Sequence, residues 1–457
     1  MRTKRPQPVL KIDSNARGTT AWIYGRGPEE KGWRLLRKSR FNEQRKLPEF
    51  DIVGATEEPG VLLVCSRPEG ADKAIIRTFD ARNNAFGSTI CQRDDAEITD
   101  AFIDKRRRFL AGVYTQDRIA YEFADPSLSA HFKALNTYFG NRSNVRIHDV
   151  DTAQQSFVLA VSGPTEPTTF HHYDRRSRKV TPLGSSQRRL SADRLAPMRT
   201  LDVTTRDGAR ITAYLTTPLS SAGPPPLVVL PHGGPEARDV YDWNIWAQAL
   251  ASQGWAVLQP NFRGSGGYGK AFADLGRRQW GGRMQDDVED ALSQVLSLRL
   301  ADPTKVAICG LSYGGYAALE GAVRNPQLYK VVVSIAGDAD LIQTLRSSRE
   351  DDGADSRAYE YWTSSIGDPK QDEEMLRAAS PALHAERMQA PVLLIHGTED
   401  DVVDPKQSKL MAKALETAGK RFEYLELKGE GHTGWSDDTL KLVLKTTCDF
   451  IAKALTA

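Results

Sequence analysis

The sequence predicts an α/β fold, a doubly wound and mostly parallel sheet, preceded by an all-β region. Three observations carry this. From about residue 195 onward, short apolar runs alternate with stretches of helical period, the pattern of strands and helices wound into a sheet covered on both faces. Before that, short β-type runs are separated by turn residues such as Asn83-Asn84 and Gly163-Pro164, as in antiparallel sheets. Between them in importance is Lys305 to Arg324, where an apolar run passes through Gly310-Leu311-Ser312-Tyr313-Gly314 into a helical stretch.

The chain has 457 residues, enough for two or three domains. Two are expected, at 1–190 and 191–457. Charged residues make up 26% and the net charge is +2, ordinary for a soluble globular chain. The charge is unevenly placed. Residues 1–195 carry 33 Lys and Arg against 24 Asp and Glu, and the remainder 28 against 35. Opposite signs suit two facing domains or steering of a charged substrate. Lys105-Arg106-Arg107-Arg108 is a single short basic run, so no nucleic-acid partner is expected. Arg2, Lys4 and Arg5 precede no apolar segment, and no run approaches the length of a membrane span. A cytoplasmic location without membrane attachment is therefore expected. Cys65, Cys91, Cys309 and Cys448 show no metal-ligand spacing; neither a metal nor a cofactor is expected.

In the first region the runs Thr20–Tyr24, Trp33–Arg37, Val61–Cys65, Ala74–Phe79, Phe109–Tyr114, Phe157–Val161 and Thr168–Tyr173 read as strands. Phe157–Ser162 and Thr169–Asp174 read as neighbours in one antiparallel unit, which makes His171 and His172 strand residues rather than ligands. Helical signal is confined to Asp125–Phe139. The repeat is degenerate, and units of about 40 to 50 residues suit propeller blades. Pro182, Gly184, Ser185, Ser186 and Pro197 break periodicity, so Thr181 to Thr200 reads as a linker.

In the second region Leu201–Thr205 and Ile211–Thr216 are strands about a turn at Asp207-Gly208. Leu227–Leu230, Trp255–Gln259, Lys305–Cys309, Val331–Ile335, Val392–His396 and Phe422–Leu427 continue the sheet. Asp242–Gln253, Asp286–Leu300, Tyr316–Val323, Pro405–Ala418 and Thr439–Ala454 are the helices between and after them. Residues 338–390 interrupt the alternation and are expected above the sheet near Ser312.

Strand, tight turn and helix in that order are what a nucleophilic serine on an elbow requires. Gly310 and Gly314 leave space where side chains would clash, and the helix behind Ser312 points its positive end at developing negative charge. A serine needs a base, and the base needs a carboxylate. Functional groups of such sheets collect at the carboxyl ends of strands. Asp400 lies beyond Val392–His396, with Asp401, Asp404 and Glu399 as rivals. His432 lies in a glycine-rich loop beyond Phe422–Leu427. The chain order Ser, Asp, His is that of the α/β-hydrolase fold. Pro231-His232-Gly233-Gly234-Pro235 ends another strand. An N–H there, at Gly234, and the N–H of Tyr313 are expected to form an oxyanion hole. Gly264-Ser265-Gly266-Gly267-Tyr268-Gly269 also fits a dinucleotide fingerprint, but the acid at the right distance, Asp286, begins a helix rather than ending a strand.

Residues 195–457 resemble the prolyl oligopeptidase family of serine peptidases, most closely its acylaminoacyl-peptidase-like branch. The resemblance rests on His232-Gly233-Gly234-Pro235, Asn261 to Gly269, Gly310 to Tyr316, Tyr361-Trp362 with Gly367-Asp368-Pro369, and His396 to Asp401. It implies that Asp400, the first of the paired acids, is catalytic, and that short peptides are cleaved under a β-propeller lid. About seven blades of about 45 residues exceed the 190 or so residues available, so residues 1–190 imply a partial, incomplete propeller. Exposed sheet edges there favour self-association through this domain. Many members of that family carry Arg or Asn two residues after the catalytic Asp; here Val402 stands there. Tyr359, Tyr361 and Trp362 lie in the segment above the serine, so Tyr361 and Trp362 are expected to line an apolar substrate pocket. A carboxylesterase on the same fold and a binding module with an idle triad are the rival functions.

Overall fold

A computed structural model describes residues 10–15, 20–26, 31–40, 50–58 and 60–456. Arg2, Lys4 and Arg5 lie outside the described residues. Four antiparallel sheets come first, each built from strands consecutive in the chain. They are β1 (Leu10–Ser14), β2 (Thr20–Gly25) and β3 (Arg34–Arg40); β4 (Phe50–Ala55), β5 (Val61–Ser66), β6 (Ile75–Asp80) and β7 (Ala85–Cys91); β8 (Ile98–Ile103), β9 (Phe109–Thr115) and β10 (Ile119–Phe123); and β11 (Asn144–Val150), β12 (Ser156–Gly163), β13 (Glu166–Asp174) and β14 (Lys179–Ser185). The pairing read between Phe157–Ser162 and Thr169–Asp174 is present, with Phe157 opposite Tyr173. The single helix among the described residues of this region, α1 (Pro126–Tyr138), starts where Asp125 accepts from Ser127 N and proline occupies the first turn. Its Leu128, Phe132 and Leu135 pack with Val145, Phe157 and Leu159 in one core.

The expected linker is shorter than its composition suggested. β14 runs to Ser185 despite Pro182, and the next strand begins at Met198. Proline is tolerated because β14 is the edge of its sheet.

The doubly wound sheet follows. It has eight strands: β15 (Met198–Thr204), β16 (Arg210–Thr216), β17 (Leu227–Val229), β18 (Ala256–Asn261), β19 (Val306–Leu311), β20 (Val331–Ile335), β21 (Val392–Gly397) and β22 (Phe422–Leu427), in the order 15-16-18-17-19-20-21-22. From β18 to β22 all neighbours are parallel; β15 and β16 are antiparallel. The helices are α2 (Ile245–Ala251), α3 (Lys270–Asp274), α4 (Arg283–Ser297), α5 (Tyr313–Arg324), α6 (Leu341–Asp351), α7 (Arg357–Ser365), α8 (Glu373–Ala378), α9 (Lys406–Thr417) and α10 (Asp437–Thr456).

Burial on both faces explains the unbroken apolar runs of the central strands. Leu227, Val229, Ile308, Val332 and Leu394 face α4, α5 and α9. The residues between them, Val228, Ala307, Cys309, Val333 and Leu393, face α2 and α10. Each fully buried Val, Leu or Ile contributes roughly 1.5–3 kcal/mol, and the buried polar residues of the parallel strands, Gln259, Asn261, Ser334 and His396, lie toward the carboxyl ends of their strands. Among the described residues no helix is long and apolar enough to cross a membrane.

The β-rich region sits against the carboxyl-end loops of the sheet. Arg146 pairs with Asp242 at 2.8 Å. Arg238 donates to the carbonyls of Thr115 and Gln116 and lies over the Tyr268 ring. The Gly264–Gly269 run is used here too. Lys73 bonds the Tyr268 carbonyl, while Lys270 N and Ala271 N donate to Asp72. These glycines bend a loop between the two regions and lead into a helix of five residues.

Candidate active site

Ser312 stands at φ 60° and ψ −127°, at the junction of β19 and α5. Positive φ in a residue with a Cβ is strained, at a cost of order 1–3 kcal/mol. Close packing over-determines it. A Cβ on Gly310 would lie 2.2 Å from the Gly314 carbonyl oxygen, and one on Gly314 would lie 2.1 Å from that of Pro231. Ser312 N donates to Ile335 O of the adjacent strand at 2.8 Å. The helix begins at Tyr313, three residues earlier than its apolar period indicated, so the N–H groups of its first turn follow the serine directly.

Asp400 and His432 are brought together from two loops. His432 Nδ1 is 2.7 Å from Asp400 Oδ2. The loops are joined by Glu399 N donating to Glu430 O, and Trp435 Nε1 anchors the Gly431 carbonyl. Asp400 is fully buried at its side chain, whereas Asp401 is exposed. Asp400 Oδ1 accepts from Val402 N and Val403 N, each at 2.9 Å. Oδ2 also faces His396 Nε2 at 3.1 Å. Burial pushes this carboxyl up, but the bonds from His396, His432 and the two amides outweigh it and hold it well below the ordinary carboxylate range. The hydrogen bonds of the described residues include the Asp400–His432 link and not a Ser312–His432 link.

The turn after β17 closes on the serine. A Cβ on Gly233 would lie 3.2 Å from Ser312 Cβ. Gly234, at φ +123°, lines a cavity of about 540 Å³ together with Ser312 and Tyr313. His232 holds the turn: its ring stacks on Phe262 at 4.3 Å and meets the Gly233 carbonyl and Ser265 Oγ. Burial pushes its pKa down to about 4. A neutral ring can donate from Nδ1 to the Gly233 carbonyl, while Ser265 Oγ lies between His232 Nε2 and the Phe262 carbonyl, to which it donates at 2.7 Å.

Trp362 lines the cavity with Trp280 and Tyr313. Tyr361 does not; it packs edge-on against Trp362 at 4.9 Å, and its hydroxyl, buried beside Glu236, is pushed up to about 12. The aromatics and Val402 and Val403 supply the apolar part of the lining, and the rest of it is not apolar. Asp338, Thr344, Ser347 and Asp404 give the cavity a polar and acidic side. Aromatic content in the sequence located one wall and said nothing of the other.

Sequence reasoning missed two positions. His396 is buried, bonds Ser408 Oγ at 2.7 Å through Nδ1, and supports Asp400 through Nε2; its place at the end of β21, four residues before Asp400, was the signal. Asp338 follows β20, the strand beside that of the serine, and so obeys the same carboxyl-end rule that located Asp400.

Residues 241–457 match the profile of the prolyl oligopeptidase family. That stretch, just under half of the chain, is what is similar to the family. Among relatives, the dipeptidyl aminopeptidase BIII of Pseudoxanthomonas mexicana is 32% identical over 355 residues, covering 74% of this chain and 50% of that protein. The acylamino-acid-releasing enzyme of Homo sapiens is 31% identical over 193 residues, covering 42% of this chain and 26% of that protein. The chain thus spans about half the length, or less, of the curated relatives it matches. A Mycobacterium tuberculosis puromycin-hydrolyzing peptidase superposes with a TM-score of 0.73 at 22% identity, over 99% of this chain and 70% of that one. The Pyrococcus horikoshii acylaminoacyl peptidase gives 0.71 at 20%, over 97% and 70%. At these identities the superpositions establish the fold, an α/β-hydrolase sheet preceded by β structure. The family match agrees with the resemblance carried by the elbow and by His396 to Asp401.

Proposed function

We propose that this chain is a serine peptidase that hydrolyses short peptides through an acyl-enzyme on Ser312. The observation that carries the proposal is the Asp400–His432 pair, its carboxylate buried, at the strand ends of the sheet that also carries the strained Ser312. His432 Nε2 takes the Ser312 proton as Oγ attacks the scissile carbonyl, then delivers it to the leaving amine. Asp400 holds Nδ1–H and stabilises the imidazolium. The N–H groups of Tyr313 and Gly234 receive the oxyanion. The family match of residues 241–457 and the peptidase names of the relatives support peptides as substrates over the esters of a carboxylesterase. Contact of Ser312 with His432 is expected to tighten when substrate fills the cleft, as such bonds do.

The four small sheets of residues 10–185 act in this reading as an incomplete propeller lid over the catalytic part, residues 191–457. The outer strands β1 and β14 expose Ile12 and Leu183, and self-association through this edge is expected. Active-site labelling with a fluorophosphonate, beside turnover of a short peptide nitroanilide, tests the function. Labelling and turnover should both vanish in Ser312→Ala; an Ala variant that keeps turnover refutes it. Light scattering on the eluting peak tests the association, which a strict monomer at micromolar concentration would exclude.

A further inference from the structure

The cavity beside Ser312 carries an unusual charge. Six aspartates line it: Asp338, Asp351, Asp352, Asp400, Asp401 and Asp404. Among the described residues no lysine or arginine does. Two of the six are already neutralised or shared. Asp400 is bonded to His432 and His396. Asp404 has Lys406 at 3.2 Å. Asp338 is different. It is 5% exposed, yet no lysine or arginine forms an ion pair with it among the described residues. One carboxylate oxygen, Oδ1, accepts from Thr344 Oγ1 at 2.6 Å. No hydrogen bond among the described residues reaches the other.

The wall around it is organised to present that acceptor. Gln407 Nε2 donates to Thr344 Oγ1, so the hydroxyl proton is directed onto Asp338. Gln407 Oε1 in turn accepts from Ala339 N and Asp340 N, which fixes the start of α6. A second relay is parallel: Gln343 Nε2 donates to Ser347 Oγ, and Ser347 Oγ to Asp404 Oδ2. Ser348 Oγ likewise donates to Asp352 Oδ2 at 2.9 Å, so all three α6 hydroxyls on this wall have a carboxylate as acceptor. The wall therefore offers acceptors and negative charge to whatever enters, and no cation. Its backbone is braced against the nucleophile: a Cβ on Gly337 would lie 2.6 Å from the Gly315 carbonyl carbon. Burial pushes the Asp338 carboxyl up, against the pull of the Thr344 hydroxyl, and a cation meeting the open oxygen would favour its charged form.

We propose that this cavity receives the side chain of the residue whose carbonyl Ser312 attacks, that this side chain is cationic, a lysine or arginine, and that Asp338 is the residue that selects it. The aromatic wall of Trp280, Tyr313 and Trp362 accommodates the methylene stem, and the ammonium or guanidinium reaches Asp338. The inference rests on Ser312 being acylated, as proposed above. The free amino terminus of a peptide shares the chemistry of a lysine side chain, so the substrates that test it are blocked at the amino terminus.

The test compares acetyl-lysine and acetyl-norleucine 4-nitroanilides, near-isosteric apart from the charge, on the full chain, with fluorophosphonate labelling of Ser312 run on the same preparation. Lysine should exceed norleucine in kcat/KM by about tenfold or more, and Asp338→Asn should bring that ratio down by a similar factor. An enzyme that labels but turns over both substrates equally overturns the inference and leaves the peptidase reading standing. A chain that neither labels nor turns over any peptide overturns both. Should Asp338→Asn fail to fold, the unaltered chain decides: n-butylammonium should inhibit lysine turnover at a concentration at least tenfold below n-butanol, and equal potency refutes the inference.

Discussion

Replacing Gly314 by alanine perturbs the point where the serine turn and the oxyanion turn meet. The new Cβ would stand 2.1 Å from Pro231 O, 3.0 Å from its carbonyl carbon and 3.2 Å from His232 O. These are backbone atoms at the end of β17, so no side chain can swing aside. Reaching the 3.0 Å that real Cβ atoms respect needs a separation of about 0.9 Å. Overpacking of this kind costs about 1–3 kcal/mol of stability. Catalysis is the more sensitive readout, because the displaced segment carries Gly233 and Gly234, and a shift of about 1 Å at reacting groups costs about 10²-fold. Gly431→Ala is the matched control. It lies in the His432 loop, its Cβ would meet nothing nearer than Glu399 O at 3.7 Å, and its φ is not positive. Thermal melting and peptide kcat/KM on both variants check this. Gly314→Ala should melt a few degrees lower and lose about two orders of magnitude, with Gly431→Ala within a few-fold of the parent. A Gly314→Ala enzyme within threefold of the parent would show that the two turns are not mechanically joined.

Asp400→Asn should lower kcat by about 10⁴, as loss of the orienting carboxylate does in triads, and exposed Asp401→Asn should change it less than threefold; the reverse order in stopped or continuous assays would reassign the carboxylate. His396→Leu removes one donor from Asp400, a bond to a charged group worth about 1.5–3 kcal/mol. Since a lowered carboxyl pKa stabilises the fold above the ordinary carboxylate range and is lost as pH falls, this variant should begin acid unfolding at higher pH than the parent, read by circular dichroism. Glu320 on α5 is pushed up from 4.5 to about 8, first by burial and against the pull of Arg324 and Arg387. The native state therefore holds its proton longer than the unfolded chain, and stability falls as pH rises from about 4.5 to about 8. Glu320→Gln should flatten that dependence and gain a few kcal/mol at pH 8, at about 1.4 kcal/mol per pH unit; an unchanged melting profile between pH 5 and 8 would contradict it.

The sequence by itself determined the sheet of residues 198–427 and, for the candidate triad, the places of Ser312 and His432 and an acidic run from Glu399 to Asp404. Apolar runs such as Val331–Ile335 are strands because both faces of the sheet are dry, and that requirement is written into composition. Ser312, His432 and the acidic run Glu399 to Asp404 were legible as candidates because strand ends gather at one edge of a parallel sheet. Helix starts were less legible. The helix after Ser312 begins at Tyr313 because glycine packing, not apolar period, decides where the chain turns. Proline composition masked β14, whose edge position relieves it of one ladder of hydrogen bonds. Only the tertiary structure decided which acid meets His432 and what faces Ser312. Asp400 and Asp401 are adjacent in the chain, but the turn that bonds Val402 N and Val403 N to Asp400 buries one and exposes the other. The charge of the cavity depends on α6, α9 and the end of β20 converging. Those segments lie up to about 70 residues apart, and no local pattern reports which of their side chains share a space.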